Sequence, residues 1–288
     1  MPVDLITVPY DSALRGVRMG AGPAHFVANG AVERRRAVAG SVRETGVEAA
    51  PGFHAEIATA FDLARATAFA VRAARGHGGL PLVLAGNCVT AVGVLASLPA
   101  ETTGIVWLDA HGDLNTPETT RSGFLDGMAL SIALGRCWRA MSAGVQGFAP
   151  VAEENVLLVG ARDLDPAERE YLERSRVHLL TPGEARGGDA LADALDTLAG
   201  RVQRVYLHVD LDVHDPADGA ANAFAAPGGL TAVEVQRVVR EVAARVPIAA
   251  AALTAYDPEY DEDGRMLEIG LELMELIAEL SAASGPSS

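Results

Sequence analysis

Cysteine is scarce in this chain of 288 residues, occurring only at positions 88 and 137. Two thiols cannot build a disulfide framework, and their scarcity points to a reducing compartment. No apolar run reaches the roughly 18 residues that a membrane span requires. The opening Met1-Pro2-Val3-Asp4-Leu5-Ile6 carries an acid and lacks the basic start of a signal peptide. A cytoplasmic globular protein is therefore expected. Basic residues are also few: 23 against 38 acidic ones, for a formal charge of -15 and a pI near 4.8. Such a surface repels phosphate backbones and anionic lipid, which excludes nucleic acid and membrane as expected partners. It also keeps a protein soluble, and that alone accounts for it. Neither an internal repeat nor a linker-like segment is visible, so residues 1–288 read as one domain.

What the chain does have is apolar material, 49% of it, cut into short runs by 30 glycines. Strands are predicted at Leu5–Val8, Leu80–Ala85, Ile105–Asp109, Val156–Val159, His178–Leu180, Val205–Asp210 and Ile248–Leu253, with a weaker one at Val42–Val47. Helical patterns fall at Ala58–Arg75, Thr90–Leu98, Pro166–Arg174, Asp189–Gly200, Ala232–Ala244 and Glu262–Ala282. Asp165 before Pro166, and Thr231 before Ala232, are N-cap candidates. Arg186–Asp189 and Ala217–Ala226 read as loops. Near-continuous apolar strands alternating with helices predict an α/β fold, a parallel sheet covered on both faces. Alternation by itself does not separate an open sheet from a closed barrel.

Three polar segments stand where apolar strands end, the edge at which such sheets collect ligands. They are Asp109-Ala110-His111-Gly112-Asp113-Leu114-Asn115, Asp210-Leu211-Asp212, and Gly86-Asn87-Cys88. In extended chain a spacing of two puts Asp109, His111 and Asp113 on one side, and Asp210 with Asp212 likewise. Clustered carboxylates repel one another unless cations neutralise them. Oxygen donors with one imidazole suit Mn²⁺, with Zn²⁺ as the alternative. The plainer reading takes the acids as N-caps and loop residues facing water. It serves for any one of them, but not for two alternating sets that each end an apolar strand.

These motifs resemble the ureohydrolase family of arginases and agmatinases. Its Asp-Ala-His-x-Asp-x-Asn pattern is complete at Asp109–Asn115, and its Asp-x-Asp-x-x-Asp-Pro pattern at Asp210–Pro216. Val8–Ser12, Gly16–Pro23 and Gly228–Thr231 are similar to further family segments, so the resemblance spans residues 5 to 260. It implies a three-layer α/β/α sandwich with an eight-stranded parallel sheet. It also implies two metal ions, one held by Cys88, Asp109, Asp113 and Asp210, the other by His111, Asp109, Asp210 and Asp212. By the same resemblance Asp113 accepts a hydrogen bond from the attacking water and relays its proton. Asn115, Ser122 and Asp165 then contact the amino-acid end of a small guanidino or N-hydroxyguanidino substrate. Association into a homo-oligomer stays open.

The chain also departs from the family. Cys88 stands where relatives carry a histidine ligand, and a thiolate can replace imidazole; the competing reading of Cys88 is a small buried hydrophobe. The swap raises the count of anionic ligands and weakens the Lewis acidity of the metal pair. Asp126 occupies the position of the family's catalytic histidine, leaving an aspartate as the substitute proton shuttle. Ala255 replaces the glutamate that grips the guanidinium in arginases, and Phe124 replaces a polar substrate contact. Asp165 is equally readable as a helix N-cap. The Gly-Asn-Cys segment, the run Asp109–Thr120 and the missing histidine together resemble the hydroxyarginine-hydrolase branch associated with D-cycloserine biosynthesis. The expected activity is hydrolysis of a linear amidine C–N bond in an N-hydroxy-arginine or another modified guanidino compound. The rival is a degenerate, metal-holding scaffold without turnover.

Overall fold

The computed structural model describes residues 2–51 and 55–283. Eight parallel strands form one open sheet: β1 (Val3–Val8), β2 (Val42–Gly46), β3 (Leu80–Ala85), β4 (Thr103–Leu108), β5 (Val156–Val159), β6 (His178–Leu180), β7 (Arg204–Asp210) and β8 (Ile248–Thr254). Their order across the sheet is β2-β1-β3-β8-β7-β4-β5-β6. The sheet has two free edges, which rules out the closed barrel. All eight predicted strands are present, with ends shifted by at most two residues.

Side-chain alternation divides the core into two layers. Val106, Leu108, Leu207 and Val209 point to one face, against Leu195 of α9 (Gly188–Ala199), Val238 of α10 (Ala232–Arg245) and Met274 of α11 (Arg265–Ala283). Ile105, Trp107 and Tyr206 point to the other, against Phe61 and Val71 of α3 (Glu56–Gly76), Val92 of α4 (Ala91–Leu95) and Leu130 of α5 (Ala129–Ala133). β3 and β4 are buried throughout, which is why their sequences are apolar without alternation. Among the described residues no helix is long and apolar enough to cross a membrane.

Helix starts follow the predicted caps. Asp165 and Glu168 form a capping box on α7 (Pro166–Arg174), and Thr231 with Glu234 does the same on α10. The differences lie in short helices. The helix expected over Thr90–Leu98 is a 3₁₀ turn at Cys88–Thr90 running into the five residues of α4. α1 (Gly22–Ala28), α2 (Ala31–Ala39), α5, α6 (Arg139–Ala143) and α8 (Pro182–Arg186) were not anticipated. Most span less than two turns, too few for a 3.6-residue period to register. The loop expected at Arg186–Asp189 shrinks to Gly187, between α8 and α9.

Register fixes the site. Thr254 pairs with Ala85 on one side and Asp210 on the other, while Trp107 pairs with His208. The carboxyl ends of β3, β8, β7 and β4 therefore lie side by side, and all three polar segments emerge from them. Gly86 permits the turn out of β3, since a Cβ there would sit 2.3 Å from the Tyr10 carbonyl oxygen.

Candidate metal centre

The acids do not converge through extended chain, as their spacing suggested. β4 ends at Leu108, and Asp109–Asn115 is irregular, with Asp113 left-handed at φ 51°. That uncommon conformation for an aspartate turns its carboxylate toward the others. Asp212 likewise sits in a 3₁₀ turn, Leu211–Val213, where its N–H donates to Asp210 Oδ1 at 2.9 Å. The turns let the backbone amides themselves hold the carboxylates, as when the His111 N–H donates to Asp109 Oδ1 at 2.7 Å.

The result is a cavity of about 300 Å³. Cys88, His111, Asp113, Asp210 and Asp212 line it, with Asp109 buried behind them. His111 Nδ1 lies 3.3 Å from Asp109 Oδ1 and 3.4 Å from Asp212 Oδ2. Cys88 Sγ lies 3.0 Å from Asp210 Oδ2. Without a cation the electrostatics are adverse. Burial and the neighbouring carboxylates push Asp113 and Asp210 well above the usual carboxylate range, and burial raises Asp109. Burial and Asp210 raise the Cys88 thiol. Burial works against charge on His111, yet Asp212 and Asp109 together raise its pKa. Burial also opposes ionisation of Asp212, but His111 holds it low.

The donor set fits divalent cations. Asp113 Oδ2 is buried with no hydrogen-bond partner among the described residues, an unmet need that a cation would satisfy. Carboxylates, one imidazole and one thiol provide oxygen, nitrogen and sulfur donors around a single space.

The remaining expected residues reach the same cavity. Asn115, Ser122, Asp126 and Asp165 all line it. Asn115 Nδ2 donates to Asp165 Oδ2 at 3.0 Å, and the Asp165 N–H donates to Glu168 Oε2 at 2.9 Å. Asp165 is thus both an N-cap and a cavity residue. Ser122 is exposed, and its Oγ accepts from the Phe124 N–H at 3.1 Å. Asp126 grips the cysteine segment, accepting from the Val89 N–H at 2.8 Å and from Asn87 Nδ2 at 3.0 Å. Burial nonetheless raises its pKa to about 7. Ala255, left-handed at φ 62°, presents only a methyl group to the cavity. Phe124 and Phe224 stack at its wall with centroids 5.8 Å apart. Cys137 is a free, buried thiol outside the cavity.

Sequence reasoning missed four residues around the site. Trp107 donates from Nε1 to Asp109 Oδ2 at 3.0 Å, and Asn222 donates to Asp212 Oδ2 at 3.3 Å. His208 and Thr254 lie behind Cys88. Trp107 and His208 were legible, since each stands two residues before a strand-end aspartate and so shares its face. Asn222 comes from a loop whose path no local pattern announces.

The model of the arginase family matches residues 2–278. The arginase of Bacillus caldovelox is 30% identical over 291 residues, covering 95% of this chain and 96% of that protein. The N(omega)-hydroxy-L-arginine amidinohydrolase of Streptomyces lavendulae is 32% identical over 203 residues, covering 68% of this chain and 70% of that protein. The crystal structure of arginase from Bacillus subtilis superposes with a TM-score of 0.87 at 27% identity, covering 96% of this chain and 98% of that one. With a family match along nearly its whole length and a metal-ready cavity where the strands end, the chain belongs to the arginase family, whose members are metal-dependent amidinohydrolases.

Proposed function

We propose that this amidinohydrolase acts on an N-hydroxy-arginine or another modified guanidino compound in preference to plain arginine. Its cofactor in this reading is a pair of Mn²⁺ ions, with Zn²⁺ the alternative. Cys88, Asp109, Asp113 and Asp210 would hold one ion, and His111, Asp109, Asp210 and Asp212 the other. The observation that carries the substrate choice is the methyl group of Ala255 in the cavity, where the arginases place a guanidinium-gripping carboxylate. An N-hydroxyguanidine is a weaker base than guanidine, so more of it is neutral and it needs less anionic grip.

When bound, a divalent pair would supply an acidified water and would offset charge building on the amidine nitrogens. The protein's own groups orient and move protons. Asp113 accepts a hydrogen bond from the attacking water and relays its proton. Asp126 lines the cavity, held by the Val89 N–H and Asn87, and is placed to pass that proton on to the leaving nitrogen. Asn115, Ser122 and Asp165 receive the amino-acid end, Asp165 pairing with its ammonium. The aromatic pair Phe124 and Phe224 gives the cavity an apolar wall.

Plain L-arginine is the second reading, favoured by an arginase match over 95% of the chain. Incubating the Mn²⁺-loaded protein with arginine, N-hydroxy-arginine and agmatine, and measuring released urea or hydroxyurea, separates the two. Higher kcat/KM for N-hydroxy-arginine is expected. Arginine as the best substrate overturns the preference, and no turnover with full metal content identifies a degenerate scaffold.

A further inference from the structure

Behind the cavity wall, four buried polar side chains form a single file. Tyr206 Oη lies 2.8 Å from His208 Nδ1, His208 Nε2 lies 3.2 Å from Thr254 Oγ1, and Thr254 Oγ1 lies 3.1 Å from Cys88 Sγ. None is more than 2% exposed. The Trp107 ring covers His208 face to face, with centroids 3.5 Å apart and planes 11° from parallel. Such a column is costly to bury and is stable only when every donor meets an acceptor.

The chemistry of the sulfur sets the direction of that column. With Cys88 as a thiol, its S–H points to Asp210 Oδ2, 3.0 Å away, and Thr254 is free to donate elsewhere. A sulfur bound to a metal has no proton and can only accept. The Thr254 hydroxyl, with the Val209 carbonyl as its other acceptor at 3.5 Å, then donates to the nearer Sγ, its oxygen accepts from His208 Nε2–H, and Nδ1 accepts from Tyr206 Oη–H. That one arrangement satisfies every group, with a neutral imidazole in a single tautomer.

Building on the reading of Cys88 as a metal ligand, we propose that Thr254, His208 and Tyr206 are positioning residues forming a one-way donor chain that draws electron density from the Cys88 sulfur. The consequence is specific to this chain's ligand set. A thiolate adds negative charge to a centre already held by four carboxylates, and a donated hydrogen bond takes part of it back. The chain would thus restore some of the Lewis acidity that the cysteine costs. It also fixes Thr254 and Cys88 across the ends of adjacent strands.

Co²⁺ loading of the full-length protein reads this directly, because a thiolate bound to Co²⁺ gives a sulfur-to-metal charge-transfer band in the near ultraviolet. The band is expected in the unaltered protein and absent in Cys88→Ser. Thr254→Val, which removes the donor, should shift the band to longer wavelength at unchanged cobalt content, while Thr254→Ser should leave it in place. Tyr206→Phe should shift it in the same direction by less. If Thr254→Val does not fold, Thr254→Ala tests the same donor. A band lost in Cys88→Ser yet unmoved by removal of the Thr254 donor overturns the donor chain while leaving Cys88 a ligand. No band in the unaltered, cobalt-loaded protein overturns the Cys88 reading itself, and the donor chain with it. Loss of one cobalt equivalent in His208→Gln would make His208 a ligand, and that too overturns the proposal.

Discussion

The side-chain amide of Asn222 donates to the Ala255 carbonyl at 2.8 Å and, from the same nitrogen, to Asp212 Oδ2 at 3.3 Å. One buried group thus joins a cavity carboxylate to the strained turn after β8. Asn222→Ala leaves the Ala255 carbonyl without this donor and Asp212 freer to rotate. Groups in this supporting position typically change metal affinity about 10- to 100-fold. A Mn²⁺ titration of the variant should show weakening in that range.

Asp165 offers a test that separates its two roles. Asp165→Asn keeps an oxygen for the capping box on α7 but removes the charge. The melting temperature should change little, while KM for a substrate with a free α-amino group should rise about tenfold or more, the worth of a charged hydrogen bond. A fall in melting temperature with unchanged KM would make Asp165 a cap only.

Restoring the acid at position 255 tests the substrate choice. Ala255→Glu keeps the same backbone requirement, since neither residue is glycine at a φ of 62°. It places a carboxylate in the cavity, so kcat/KM for arginine should rise about tenfold relative to N-hydroxy-arginine. Paired steady-state assays measure the ratio, and an unchanged ratio removes Ala255 from the discrimination.

The metal-free protein should lose stability as pH rises from 7 to 9. Asp113, Asp210 and Asp126 have raised pKa values, burial being the main cause, and the Asp212 and Asp109 carboxylates raise His111. In that window the folded state therefore binds more protons than the unfolded one, so stability falls with pH. His208 and His214 have lowered pKa values and are neutral in both states there, adding no opposing slope. Melting curves in a chelator should decline across the range, whereas Mn²⁺-loaded samples should be higher and flatter. A chelated sample that gains stability toward pH 9 contradicts the electrostatic account.

Much of this was legible in the sequence, for identifiable reasons. β3, β4, β7 and β8 announce themselves because burial on both faces demands unbroken apolar runs, and Asp109, Asp210 and Cys88 stand out by interrupting that rule at the ends. Asp113 lines the cavity, but it arrives there through a left-handed turn that spacing does not reveal. α4 and α5 are too short to show a period. Asn222 reaches the site through a loop, and the contact between Thr254 and Cys88 depends on strand order, which local sequence does not encode.

Metal content per chain tests most directly the proposal that two ions share Asp109 and Asp210. After Mn²⁺ loading and removal of free ion, elemental analysis by mass spectrometry should give close to two equivalents. It should give close to none for Asp210→Ala, which removes the ligand proposed to be common to both ions. A consistent value of one or zero in the unaltered protein, or two retained in Asp210→Ala, would contradict the shared two-ion centre.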